Sequence, residues 1–278
     1  VGLRDGSLAL RGALGFLSRL PVGRTERAWD AFRTAPWTLP VAGYLLGALA
    51  AVPVAVGALG PVPAVTVALA YVLAVVALTG INHFDGVADL GDAAVVHGDA
   101  ERRREVMGDT VLGVGGTLAL AVVVGGLALA GVGLAALPVA AAVGLVVAAE
   151  VAAKAAMATL VALGSAAHDG FGAAVADETR PRGLVAPLAL AAPAVALTLP
   201  SVAALAGLAT ALTVALALLW WARERLGGVT GDVVGGANEL ARVAALHAGL
   251  VAWRADLTMP VTLGESVGLG EVVAWTPW

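Results

Sequence analysis

The chain has 278 residues, of which 60% are hydrophobic and only 13% charged, and its mean hydropathy is +0.92. Soluble domains carry about 25% charged residues, and a surface this poor in charge would expose large apolar patches, so a water-soluble globule is excluded. The net charge of −4 without a polybasic tail argues against nucleic acid as a partner, and the absence of cysteine excludes disulfides, thiolate nucleophiles and cysteine metal sites.

The expected fold is all-α: a polytopic transmembrane helical bundle of about seven spans, preceded by an N-terminal amphipathic helix. Residues 7–20 (SLALRGALGFLSRL) are apolar but carry Arg11 and Arg19 eight residues apart. Those charges argue against a cleaved leader or an ordinary first span, and fit a helix lying in the membrane interface. Residues 23–36 are charged. Spans of roughly 20 residues, the length that crosses a bilayer core, are expected over 37–59, 62–81, 114–136, 138–163, 184–200, 202–221 and 233–253. Pro138 marks the tight turn between the third and fourth. Residues 1–253 read as one integral membrane domain. Residues 254–278, with Pro260, Gly264, Gly268 and Gly270, read as an irregular C-terminal tail.

Arginines sit in the N-terminal segment and in the connections 82–112, 164–183 and 222–232, whereas those near 60–62, 137–138 and 200–202 have none. With seven spans, every arginine-bearing connection falls on one side, which the positive-inside rule makes cytoplasmic. The expected location is therefore the cytoplasmic membrane, with the polar residues gathered on its cytoplasmic face.

The polar residues cluster. Asp85, Asp89 and Asp92 in the run NHFDGVADLGD are spaced i, i+4 and i+7, which places them on one face of a helix. Carboxylates so close repel unless a cation lies between them, and an all-oxygen donor set suits Mg²⁺ completed by phosphates. A solvated acidic face is the plainer alternative. His83 is a candidate general base or phosphate contact. Arg102, Arg103 and Arg104 suit bidentate phosphate binding, or equally anchor the topology. Asp109 precedes the glycine-rich entry to the third span. Glu150 and Lys154 form an i, i+4 pair at membrane depth, either functional or structural. The loop containing His168, Asp169, Asp177, Glu178 and Arg180 reads as a lid or as a solvated connection. In the final cluster, Asp232, Glu239 and Arg242 share one side of a helix, with Asn238 four residues before Arg242. Such groups need an internal partner or a water-filled cavity.

These motifs resemble a known family. T-G-x-x-H-F-D-G-x-A-D-x-x-D at 79–92, R-x-x-x-M-x-D-x-x-x-G at 103–113, G-G-V-T-G-D-x-x-G-G-x-x-E at 227–239 and F-L-S-R-L-P-V at 16–22 are similar to those of cobalamin synthase, also called adenosylcobinamide-GDP ribazoletransferase. The resemblance covers most of residues 10–253. It implies a membrane enzyme of late cobalamin biosynthesis that joins adenosylcobinamide-GDP to α-ribazole or its 5′-phosphate, releases GMP and uses Mg²⁺. By motif match, Asp85, Asp89 and Asp92 would hold metal and the GDP phosphates, and Asp232 and Glu239 would complete the site. The expected set is thus Asp85, Asp89, Asp92 and Asp232 for metal. His83, Asp89, Asp232 and Glu239 are expected at the reaction, and Arg102, Arg103, Arg104, Asp109, Asn238 and Arg242 at the substrates. The family commonly carries basic residues around its middle Asp. Here the run is Gly108-Asp109-Thr110-Val111, which leaves the three preceding arginines to supply that charge. The sequence is compatible with an oligomer. A membrane CDP-alcohol phosphotransferase is one rival, but its motif has an arginine that D-G-x-A-D-x-x-D lacks. A carboxylate-based transporter is another, resting on Glu150, Lys154 and Glu239.

Overall fold

The computed structural model describes residues 3–167 and 181–259. The polar loop around His168–Arg180 and the tail beyond residue 259 lie outside these. Among the described residues the chain is entirely helical: α1 (Leu3–Leu17), α2 (Glu26–Arg33), α3 (Thr38–Ala50), α4 (Val52–Gly57), α5 (Ala64–Thr79), α6 (Asn82–Val95), α7 (Ala100–Met107), α8 (Val114–Leu134), α9 (Val139–Leu163), α10 (Val185–Ala191), α11 (Ala203–Leu226) and α12 (Gly231–Arg254). Short 3₁₀ turns cover Pro181–Leu184 and Ala192–Thr198.

Four segments are long and apolar enough to cross a membrane: Thr38–Gly57, α8, α9 and α11. The bent pair α5–α6 adds a fifth if its two helices count as one span. The protein is therefore a multi-pass membrane helical bundle with four or five apolar spans among the described residues, against the seven expected from the sequence. The sixteen-residue α5 ends at Gly80, whose φ of +76° turns the chain, and α6 leaves at 99°. A residue with a Cβ is strained at that φ. The expected fifth span is seven residues of α-helix followed by a 3₁₀ stretch that opens at Pro193, where proline removes a backbone donor and clashes with the preceding turn. Helix α12 is long enough, but with Asp232, Glu239, Arg242 and Arg254 it does not read as an apolar span; its Glu239 and Arg242 are buried inside the bundle.

Helix α9 is central, with 83% of its apolar stretch buried, whereas α8 has 28% buried and presents Val114, Leu118, Val122 and Leu129 outward. In a bilayer, lipid tails are as apolar as leucine, so helices associate through close packing of small residues. On α3, Gly43 and Gly47 supply that closeness. A Cβ on either would stand within 2.9 Å of the Val151 or Val147 Cα of α9. The N-terminal α1 forms as a helix from Leu3. Its buried side (Ala9, Ala13, Leu14 and Leu17) packs on α2 and α3, so protein takes up its apolar face. At the other end of the chain, residues 257 and 259 fold back on the start of α11: Val202 N–H donates to Leu257 O at 2.9 Å and Met259 N–H to Pro200 O at 2.8 Å.

Candidate functional site

Helices α6 and α12 cross in close contact, and glycine makes the crossing possible. A Cβ on Gly86 would lie 2.7 Å from the Asp232 carbonyl oxygen and 3.1 Å from its Cα, and one on Gly236 would strike the Leu90 side chain. Gly235 in turn faces His83. The glycine inside D-G-x-A-D thus sits against the aspartate of T-G-D-x-x-G-G, and two acidic motifs about 140 residues apart in sequence meet at one end of the bundle. Thr230 caps α12 there, its hydroxyl accepting from Val233 N–H at 3.2 Å.

On α6, Asp85 is exposed, Asp89 half-buried and Asp92 buried. Asp89 feels the charges of Asp232, Asp85 and Asp92, so the four carboxylates share one electrostatic environment. Like charges in a partly buried site oppose simultaneous ionisation. Asp92 already has a task. Its two oxygens accept from Gly113 N–H (2.8 Å) and Gly116 N–H (2.9 Å). Those amides open α8, whose own N-cap residue is a glycine with no side chain, so Asp92 caps α8 from the neighbouring helix and its charge complements the helix dipole.

The expected substrate arginines divide. Arg102 is exposed and pairs with Glu105 at 3.0 Å. Arg103 is buried and donates to the Ala93 carbonyl near the end of α6. Arg104 donates to Leu226 O at the end of α11. Arg223, in turn, donates to Leu163 O at the end of α9 at 2.6 Å. Cations bound to terminal carbonyls stabilise helix C-termini, and these side chains tie three helix ends together around the site. Asp109 is exposed and its carboxylate accepts from Val111 N–H at 3.2 Å.

One layer deeper, Asn238, Glu239 and Arg242 are fully buried. Arg242 forms ion pairs with Glu239 on its own helix and with Glu150 on α9. Glu150 also binds Lys154 Nζ at 2.8 Å, and Lys154 Nζ donates to Asn238 Oδ1 at 2.8 Å. Since Oδ1 is engaged by an ammonium, the Asn238 amide orientation is fixed. Its Nδ2 donates to Glu239 Oε1 at 2.9 Å and to His83 Nδ1 at 3.1 Å. Two carboxylates and two cations thus balance in a bridge between α9 and α12 that reaches His83 on α6. Glu150 and Lys154 stand out in sequence as an intrahelical pair, but the link across to α12 has no local signal.

A cleft of about 190 Å³ opens above this layer, lined among others by Phe16, Asn82, His83, Met157 and Asp232. Asp232, His83 and Asn82 therefore face one space. Among the described residues, no three His, Asp or Glu side chains are gathered tightly enough to hold a metal by themselves. The donor set still fits Mg²⁺, which is ordinarily bound by one or two carboxylates with substrate phosphates and water completing its shell.

Residues 9–250 match the cobalamin-5-phosphate synthase family. The chain is 58% identical over 254 residues to a protein of Halorubrum lacusprofundi, covering 88% of this chain and 97% of that one. It is 47% identical to one of Haloquadratum walsbyi (88% and 98% covered) and 34% identical to one of Methanocella arvoryzae (88% and 96% covered). All three are named adenosylcobinamide-GDP ribazoletransferase. No solved structure matches the chain. With a membrane bundle that brings the two acidic motifs together and a family match across nearly its whole length, the chain belongs to the cobalamin-5-phosphate synthase family.

Proposed function

We propose that the protein joins adenosylcobinamide-GDP to α-ribazole or its 5′-phosphate and releases GMP, in a Mg²⁺-dependent reaction at the α6–α12 crossing. The observation that carries this reading is the backbone contact of Gly86 with Asp232, which is accompanied by Asp89 feeling the charges of both Asp85 and Asp232. A ribazole hydroxyl attacks the diphosphate phosphorus that bears cobinamide. The new P–O bond forms, the bond to GMP breaks, and a carboxylate of the site accepts the hydroxyl proton. Such a transfer depends on positioning and charge neutralisation more than on covalent chemistry. One or two of Asp85, Asp89 and Asp232, with substrate phosphates completing the shell, would hold Mg²⁺, which would supply that neutralisation.

The Asn238 amide beside Nδ1 supports one role for His83. Because Nδ1 accepts from Asn238, a neutral His83 carries its proton on Nε2. That makes it a hydrogen-bond donor towards a phosphate oxygen in the cleft, in preference to a base. Asn238, Glu239 and Arg242 then position His83 from beneath and do not touch substrate. The arginine-bearing end of the bundle faces the cytoplasm, in line with the positive-inside rule.

The reading is tested with purified protein in lipid nanodiscs. GMP release is expected only with adenosylcobinamide-GDP and a ribazole acceptor together, to stop on EDTA treatment and to return with added Mg²⁺. Release without acceptor, or turnover of a CDP-alcohol donor in its place, would overturn it.

A further inference from the structure

A second, cationic groove adjoins the acidic cleft. It measures about 360 Å³ and is lined by Phe16, Ser18, Arg19, Arg24, Gly80 and Asn82, among others. It shares Phe16, Thr79 and Asn82 with the cleft that reaches His83 and Asp232. The two form one trough, with Arg19 and Arg24 at one end and Asp232 at the other.

The arginine end is built in a fixed geometry. The buried Ser18 hydroxyl donates to Leu14 O at 2.6 Å and accepts from Leu20 N–H at 3.3 Å, so the chain leaves α1 in one conformation. Arg19 N–H donates to Leu78 O at 2.8 Å, which fastens this turn to the end of α5. The Arg19 stem then crosses Gly80: a Cβ there would stand 3.4 Å from Arg19 Cδ, at a φ that already favours glycine. Arg24 donates through Nε to Gly15 O at 3.0 Å, leaving the outer edge of its fork open to the groove. Among the described residues neither Arg19 nor Arg24 forms an ion pair, although Asp232 lines the neighbouring cleft. A topology anchor needs only charge. Two exposed guanidinium groups lining one concave groove without a carboxylate partner, Arg24 oriented through its Nε and Arg19 anchored by its backbone and stem, suit the oxygens of a phosphate.

We propose that Arg19 and Arg24 form a phosphate-binding subsite, separate from the acidic centre, that holds a substrate phosphate while the reaction proceeds at Asp232 and His83. This rests on the transferase reading above. The phosphate is either the 5′-phosphate of the acceptor or a phosphate of the nucleotide donor, and kinetics separate the two. For Arg19→Ala, loss of a charge-assisted contact raises the relevant KM by about 10- to 100-fold, with kcat nearly unchanged. If the acceptor phosphate is held, KM rises for α-ribazole 5′-phosphate and not for α-ribazole. If the donor phosphate is held, the donor KM rises with either acceptor. Arg19→Lys, which keeps the charge but not the fork, falls between the wild type and Arg19→Ala. Unchanged KM values for donor and both acceptors overturn the proposal. A second readout needs no turnover: phenylglyoxal modification of wild-type Arg19, followed by mass spectrometry, is expected to be slowed by inorganic phosphate while the exposed Arg27 is not. Equal labelling of Arg19 with and without phosphate also overturns the proposal. Protection without any GMP release by the wild type would instead place the failure in the transferase reading.

Discussion

Asp89→Asn is expected to lower kcat/KM for the ribazole transfer by about 10³-fold, because metal-assisted charge stabilisation of a phosphoryl transition state is worth several kcal/mol and each 1.36 kcal/mol is tenfold in rate. Asp89 is half-buried between the exposed Asp85 and the capping Asp92, and it feels Asp232 across the crossing. It is the carboxylate most deeply committed to the shared site without a backbone amide already bound to it among the described residues. Asparagine keeps the shape and removes a charge that its neighbours repel, so folding should be unharmed. The melting temperature in detergent is expected to stay level or rise slightly while activity collapses. Full activity with the wild-type Mg²⁺ dependence would show that Asp89 holds no metal.

Arg242→Leu is expected to act in the opposite way, through the fold. Arg242 is fully buried and pairs with Glu150 and Glu239. Removing it leaves Glu150 with Lys154 and the buried Glu239 without an arginine or lysine partner, and breaking one partner out of a buried ion pair costs about 3–5 kcal/mol. The double variant Arg242→Leu with Glu239→Leu restores the balance, with Glu150 still on Lys154 at 2.8 Å, and is expected to be more stable than the single variant. Such a rescue is the sign of coupling within one network. Unfolding in detergent followed by circular dichroism measures both. A single variant of normal stability but raised substrate KM would return Arg242 to the substrate-binding role expected from its sequence motif.

The contrast between these residues shows what a sequence makes visible. Periodicity places Asp85, Asp89 and Asp92 on one face, and α6 keeps them there. Local spacing says nothing of depth: Asp85 faces solvent while Asp92 caps α8 across a gap of twenty-one residues to Gly113. Arg103 and Arg104 read as phosphate ligands because arginine so often is one, but their partners are helix-end carbonyls, Ala93 O and Leu226 O. A carbonyl acceptor leaves no mark in sequence, since every residue carries one. Apolar length marks α8, α9 and α11 as spans. It is a poorer guide at 184–200, where α-helix gives way to a 3₁₀ stretch at Pro193, and at 62–81, where Gly80 turns the chain into α6. The Gly86–Gly236 crossing is tertiary and follows from no pattern within either motif.

The most direct test of the meeting of the two motifs uses the absence of cysteine from the chain. A Cβ on Gly235 would lie 3.4 Å from the His83 Cα, so the two backbones approach closely enough for an engineered disulfide to report on their contact. The double variant His83→Cys with Gly235→Cys, oxidised in membranes and digested, is expected to yield a peptide joining α6 to α12 in high proportion. Two cysteines that stay free and alkylate independently after oxidation would mean that the acidic motifs do not face one another, and no common site could form.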